Sequence, residues 1–150
     1  MKLNVIYGVM FFVICITIPW FTEAMSEENT KNMLKLAMKC KNKTGAKDED
    51  VMHFMSKDLP DTRTTKCLYA CMQELFGIIT KEGRLKTQGI KNMAKLMFEL
   101  DPYLRNVLME IADECADVQD DDRCELAYKT SSCAIEAAKR RNIDYKKVFK

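Results

Sequence analysis

The feature that most restricts this chain is the segment KCLYACMQELFG, residues 66–77, which puts Cys67 and Cys71 four residues apart on what reads as one helix. Side chains at that spacing run parallel along a helical face and do not converge, so the two sulfurs cannot bond each other. Of the seven cysteines, Cys15 falls in an apolar N-terminal run. The other six are Cys40, Cys67, Cys71, Cys115, Cys124 and Cys133, separated by 26, 3, 43, 8 and 8 residues. Six cysteines permit 15 pairings. Cys124 and Cys133, on one helix, stand roughly 13 Å apart at the helical rise, which is beyond disulfide reach. Removing both impossible bonds leaves ten of the pairings. In all of them the helix of Cys67 and Cys71 is fastened to two different partner cysteines.

The compartment decides whether those sulfurs pair at all. Lys2, the apolar run from Val5 to Phe21 and the small residue Ala24 together describe a secretory signal peptide. A membrane anchor is the rival, because the run is near the lower limit of about 17 residues for a spanning helix. Pro19 and Thr22-Glu23-Ala24 favour cleavage, and no second long apolar segment follows. The expected organisation is therefore a leader over 1–24 and one exported domain over 25–150, with no stable membrane insertion. In an oxidising compartment an even set of cysteines means disulfides far more often than metal ligands. There is one histidine, His53, and no CxxC pair, so neither a zinc site nor a thioredoxin-like redox motif is supported. Acidic and basic residues are interspersed at a net charge of +2, which argues against a nucleic-acid binder.

Periodicity predicts an all-α domain of about six helices. Met33, Leu36, Ala37 and Cys40 repeat at helical spacing over 28–42, and Asp48-Glu49-Asp50 supplies an acidic first turn to a short helix through Phe54. Asp61 or Thr62 can cap a third helix, which Gly77 ends or loosens. TKEGRLKTQG reads as a connector to a fourth helix near 87–99. Asp101-Pro102 opens a fifth, with Tyr103, Leu104, Val107, Leu108, Ile111 and Cys115 as its buried stripe. Asp120-Asp121-Asp122 precedes a sixth helix running to about Arg140, where it reads as a cap and lacks the spaced ligands of a calcium loop.

A leader, a helical domain of this length, and the C-x3-C and C-x8-C spacings at Cys67/Cys71 and Cys124/Cys133 resemble the six-cysteine insect odorant-binding proteins. The likeness covers the whole of 25–150, and CLYACMQELFGIITKEGRLK looks like that family's third helix and following loop. The resemblance implies the disulfides Cys40–Cys71, Cys67–Cys124 and Cys115–Cys133, all within the ten allowed pairings. It also implies helices around an internal apolar cavity that carries odorants, pheromones or other small lipophiles through extracellular fluid. The implied partners are a small hydrophobic ligand and an olfactory receptor, with no cofactor, and a monomer or weak homodimer as the state of assembly.

A cavity of a few hundred Å³ needs walls that stay put, which disulfides worth about 2–4 kcal/mol each can supply. Nine of the eleven methionines lie beyond the leader, and methionine adapts to several ligand shapes. The expected wall residues are Phe54, Met55, Phe76, Ile79, Met93, Met97, Leu108, Ile111 and Tyr128. Tyr145, Val148 and Phe149 of the tail are expected to close the mouth, with Lys146 and Lys147 forming charge contacts that loosen in acid. His53 reads as an exposed helix residue, and Asn42-Lys43-Thr44 as a glycosylation sequon at Asn42. An exported hydrolase is disfavoured, since Phe54 follows the sole histidine, no glycine-rich calcium loop is present and no serine occupies a nucleophile elbow. A secreted interaction protein of salivary or venom type, built on the same scaffold, is the alternative to a carrier. An exposed apolar patch in place of a cavity would favour it.

Overall fold

Asp101 shows how locally this fold is written. Its Oδ1 accepts a 3.0 Å hydrogen bond from the Leu104 backbone N–H, and Pro102, which has no N–H to lose, takes the first helical position. The structure, a computed structural model, describes residues 24–99 and 101–148. In chain order the helices are α1 (Ala24–Thr44), α2 (Asp48–Met55), α3 (Arg63–Leu75), α4 (Thr87–Met97), α5 (Pro102–Glu114), α6 (Arg123–Arg140) and the short α7 (Tyr145–Val148). Among the described residues the only strand-like feature is one antiparallel bridge between Ile79 and Leu85, so the fold is all-α. Residues 34–150 form one unit; of the unit 1–33, the described part is the opening of α1. The expected leader lies, save Ala24, outside the described residues.

Like α5, the helices α2, α3 and α6 begin where a side chain supplies an acceptor, whereas Lys86 before α4 supplies none. Asp50 Oδ2 takes the Lys47 N–H at 2.7 Å at the start of α2. Thr62 and Thr65 exchange side-chain and backbone bonds at the start of α3, so Thr62 rather than Asp61 is the cap. Asp122 accepts from the N–H groups of Cys124 and Glu125, which assigns the acidic triplet to capping α6. Gly77, at φ +67°, turns the chain after α3 so that Ile78 N–H reaches the Gln73 carbonyl at 2.8 Å. The following segment is more ordered than a plain connector: Thr80 N–H bonds the Arg84 carbonyl and Lys86 N–H the Ile78 carbonyl. α4 stops at Met97, two residues before the expected end, and α2 runs one residue further, to Met55.

The disulfides join Cys40 to Cys71, Cys67 to Cys124 and Cys115 to Cys133, with Cα separations of 5.7, 4.5 and 6.0 Å. α3 is thus tied to α1 through one cysteine and to α6 through the other, and the end of α5 is tied to α6. These are the pairs that the resemblance implies. Buried side chains gather in two clusters. One holds Tyr69, Ala70, Ile78, Ile79, Leu126 and Ala127 between α3, its following turn and α6. The other holds Val107, Ile111, Cys115, Ala137 and Ala138 between α5 and α6. Val118, between α5 and α6 in sequence, packs against both. Gln73 bridges α3 to α6 by donating from Nε2 to the Ala127 carbonyl and to Ser131 Oγ, both at 3.0 Å.

Candidate functional site

On α5, Leu104, Val107, Leu108 and Ile111 fall at i, i+3, i+4 and i+7 and so form one stripe. That stripe, with Ala138 of α6 and with Ile143 and Tyr145 of the tail, lines an apolar pocket of about 20 Å³. The pocket is an order of magnitude smaller than the few hundred Å³ expected from the sequence. The tail accounts for the difference in part, because Ile143 and Tyr145 pack into the α5–α6 cluster. A wider groove of about 670 Å³ between residues 82–85 and 116–121 carries Glu82, Arg84, Gln119, Asp120 and Asp121 beside Leu85, Val118 and Leu126, and its charged groups suit water better than a lipophile.

The tail arrives there by a defined route. Asn142, at φ 55°, reverses the chain after α6, and Ile143 N–H bonds the Ala138 carbonyl at 3.0 Å. Arg140 and Arg141 reach back to Glu114, whose carboxyl their guanidinium groups hold below the usual range, Arg141 contributing most. α7 is then latched to the turn after α2. Lys146 pairs with Asp58, and Lys57 Nζ donates to the Lys146 carbonyl at 3.1 Å. The hydrogen bond from Lys146 lowers the pKa of Asp58, and Asp58 in turn raises that of Lys146. The Asp58 carbonyl also accepts from the Tyr69 hydroxyl, and burial raises the pKa of that phenol. His53 is half-buried, not exposed as the sequence suggested, and its Nδ1 is buried without a hydrogen-bond partner.

Of the expected wall residues, Leu108, Ile111 and Tyr145 line this pocket. Phe54, Phe76, Ile79 and Met93 instead pack in or against the α3–α6 cluster, where Phe54 meets Tyr69 edge-on at 4.9 Å between ring centroids. Met55 is half-buried beyond the pocket lining. Met97 is 44% exposed, because α4 ends there and turns that face to solvent. Tyr128 is half-buried and lies under the Lys66 ammonium of α3, 4.5 Å from the ring centroid. Val148 is on α7, and Phe149 lies outside the described residues. Tyr103, expected in the buried stripe of α5, is 67% exposed. The lining residues that sequence reasoning missed are Leu104, Val107, Ala138 and Ile143. Leu104 and Val107 were legible as members of the stripe, and Ile143 as an apolar residue in a charged tail.

One family model, that of the PBP/GOBP family, matches this chain over residues 22–137, which include all six cysteines of the three disulfides. The chain belongs to the PBP/GOBP family. Among PBP/GOBP relatives, General odorant-binding protein 19d of Drosophila melanogaster is 31% identical over 119 residues, covering 79% of each chain. The solved structure of dmelOBP28a from the same fly is 30% identical, with a TM-score of 0.68, covering 79% of this chain and 98% of the other. A cockroach pheromone-binding protein from Leucophaea maderae, solved with the fluorescent reporter ANS, shares the fold at 19% identity and a TM-score of 0.58, covering 77% of this chain and 98% of its own. Among the described residues no group of three or more His, Cys, Asp or Glu side chains is placed to hold a metal, and no helix is long and apolar enough to cross a membrane.

Proposed function

We propose that this protein is an exported, non-enzymatic carrier that takes a small hydrophobic molecule between α5, the end of α6 and the C-terminal tail, and delivers it through extracellular fluid to a receptor. The observation that carries the reading is the wholly apolar wall at that place, closed by a segment of the chain's own end. The names of the odorant-binding relatives support the same ligand class. Residues 1–24 serve as the leader, consistent with three disulfides in the exported part.

A ligand large enough to be held needs roughly 300 Å³ or more, so it does not fit beside Ile143 and Tyr145. It takes their place. The tail swings off α5 and the ligand covers the same apolar stripe, so the apolar surface uncovered by one is buried again by the other. Closing in the absence of ligand keeps the stripe from water. The exposed ion pair of Lys146 with Asp58 adds little resistance to that motion, because water screens it.

The test is titration of the oxidised 25–150 protein with ANS or a similar apolar reporter, followed by displacement with volatile and non-volatile lipophiles. Micromolar displacement, abolished by reduction of the disulfides and strengthened by deleting residues 143–150, supports the carrier. One observation favours a second reading. Leu96, Met97 and Tyr103, 83%, 44% and 67% exposed, stand around the α4–α5 connection and suit contact with a protein. No reporter uptake by correctly oxidised protein, with or without the tail, would sink the carrier and leave the interaction protein.

A further inference from the structure

Asn42 sits in the last turn of α1, exposed, within the sequon Asn42-Lys43-Thr44. Leu34 and Met38, on the same helix, are 42% and 40% exposed. Positions 34, 38 and 42 are successive i, i+4 neighbours, so the acceptor asparagine continues the line of the two uncovered apolar residues. Helical side chains lean toward the N-terminus, which aims the Asn42 amide over Met38 and away from the helix end. We propose that Asn42 is N-glycosylated and that its first sugars lie over Met38 and Leu34. The proposal rests on the export of the chain proposed above.

The modification precedes folding. The Thr44 hydroxyl, which sequon recognition requires, donates to the Cys40 carbonyl at 2.9 Å in the folded helix and is engaged there. The Cys40–Cys71 bond spans 31 residues, so it cannot close before that much further chain has entered the oxidising compartment. Until then the sequon is presented on an open segment. The co-reactant is a lipid-diphosphate-linked oligosaccharide. The Asn42 side-chain nitrogen forms a bond to the anomeric carbon, the bond from that carbon to the phosphate oxygen breaks, the lipid diphosphate leaves, and the amide gives up one proton. In the folded protein the glycan needs no rearrangement, since Asn42 and Lys43 both face solvent.

The full chain should be secreted from insect cells and its mass measured before and after peptide-N-glycosidase. A loss of roughly 1–2 kDa, absent in Asn42→Gln and in Thr44→Ala, is the expected result. The covering is read separately, by peroxide oxidation of the folded protein with Met52, 64% exposed on α2, as the internal reference. Enzymatic removal of the glycan should raise the oxidation rate of Met38 about threefold and leave that of Met52 unchanged. Because the sugar is removed from protein already folded, this arm does not depend on any variant folding. Secreted protein without the mass loss overturns the glycan and leaves the carrier standing. Retention in the cell, unmodified and with the leader attached, overturns both the glycan and the export. A glycan at Asn42 with an unchanged Met38 rate overturns the covering.

Discussion

Replacing Ile111 by alanine separates the pocket from the rest of the core. Ile111 is 2% exposed and lies in the middle of the lining stripe of α5. The change deletes three carbons, worth about 2.4 kcal/mol of transfer free energy at ~0.8 each. The unrelaxed part of the void adds to that, so a total near 3 kcal/mol is expected. For a domain of this size the melting temperature should fall by roughly 10 °C, which leaves the protein folded at room temperature. Ligand carbons can occupy the space that the side chain leaves. An apolar ligand should therefore bind the variant more tightly while the empty variant is less stable, by as much as about tenfold for a further 1.4 kcal/mol of binding free energy. Leu68→Ala is the control, because Leu68 is fully buried on α3 and is not part of the lining. It should cost a similar amount with no gain in affinity. The assays are thermal unfolding by circular dichroism and reporter titration at 25 °C. A cost below about 1 kcal/mol would refute the packing argument. Equal affinities for the two variants would refute the assignment of the ligand to this pocket.

Three further outcomes are expected. Asp58 has a lowered pKa in the folded protein, so its contribution is present above its unfolded value and lost as pH falls through the folded one. With Lys146 and His53 beside that carboxylate, reporter affinity should stay level from pH 8 to 5 and rise slightly only below about pH 4, where the small contribution of this exposed pair to tail docking is lost. A rise in reporter affinity already near pH 6 would show that the Lys146–Asp58 latch is not the acid-sensitive contact. Gly89→Ala would place a Cβ 2.1 Å from the Gly77 carbonyl oxygen and 2.4 Å from its carbon, backbone atoms that cannot rotate away. A loss of about 2–3 kcal/mol in urea unfolding is expected, and a loss under 1 would mean that α4 shifts freely. Removing the Cys67–Cys124 bond with a pair of serines opens a separation of 57 residues, which chain entropy values at about 4 kcal/mol. Unfolding midpoints unchanged by that pair would contradict the clamp at α3.

Three of the helices were legible because each carries its own start signal: Asp101-Pro102 for α5, Thr62 for α3, Asp122 for α6. Interactions among near neighbours in sequence decide such boundaries, so the pattern suffices. The wall residues were less legible. Phe54, Phe76, Ile79 and Met93 are apolar, as a wall would require, yet Ile79 fills the α3–α6 cluster and the other three pack against it. Nothing in periodicity separates a side chain that bounds a pocket from one that fills a core, since both face inward. Tyr103 and Met97 show the same limit from the other side. They are apolar at plausible spacing, but the α4–α5 connection leaves them in solvent.

The sequence by itself determined the class of the fold and the helix order, and it cut the possible disulfide pairings from fifteen to ten, the resemblance alone implying which one forms. Those follow from capping, helical spacing and the reach of a sulfur–sulfur bond, all short-range constraints. It also carried the family, through the spacing of six cysteines. Only the tertiary structure decided that α5 supplies the pocket wall, that Ala138, Ile143 and Tyr145 complete it, and that Lys146 meets Asp58, 88 residues away. It also decided the size of the pocket. A volume is what remains after distant side chains have packed, and no local pattern encodes it.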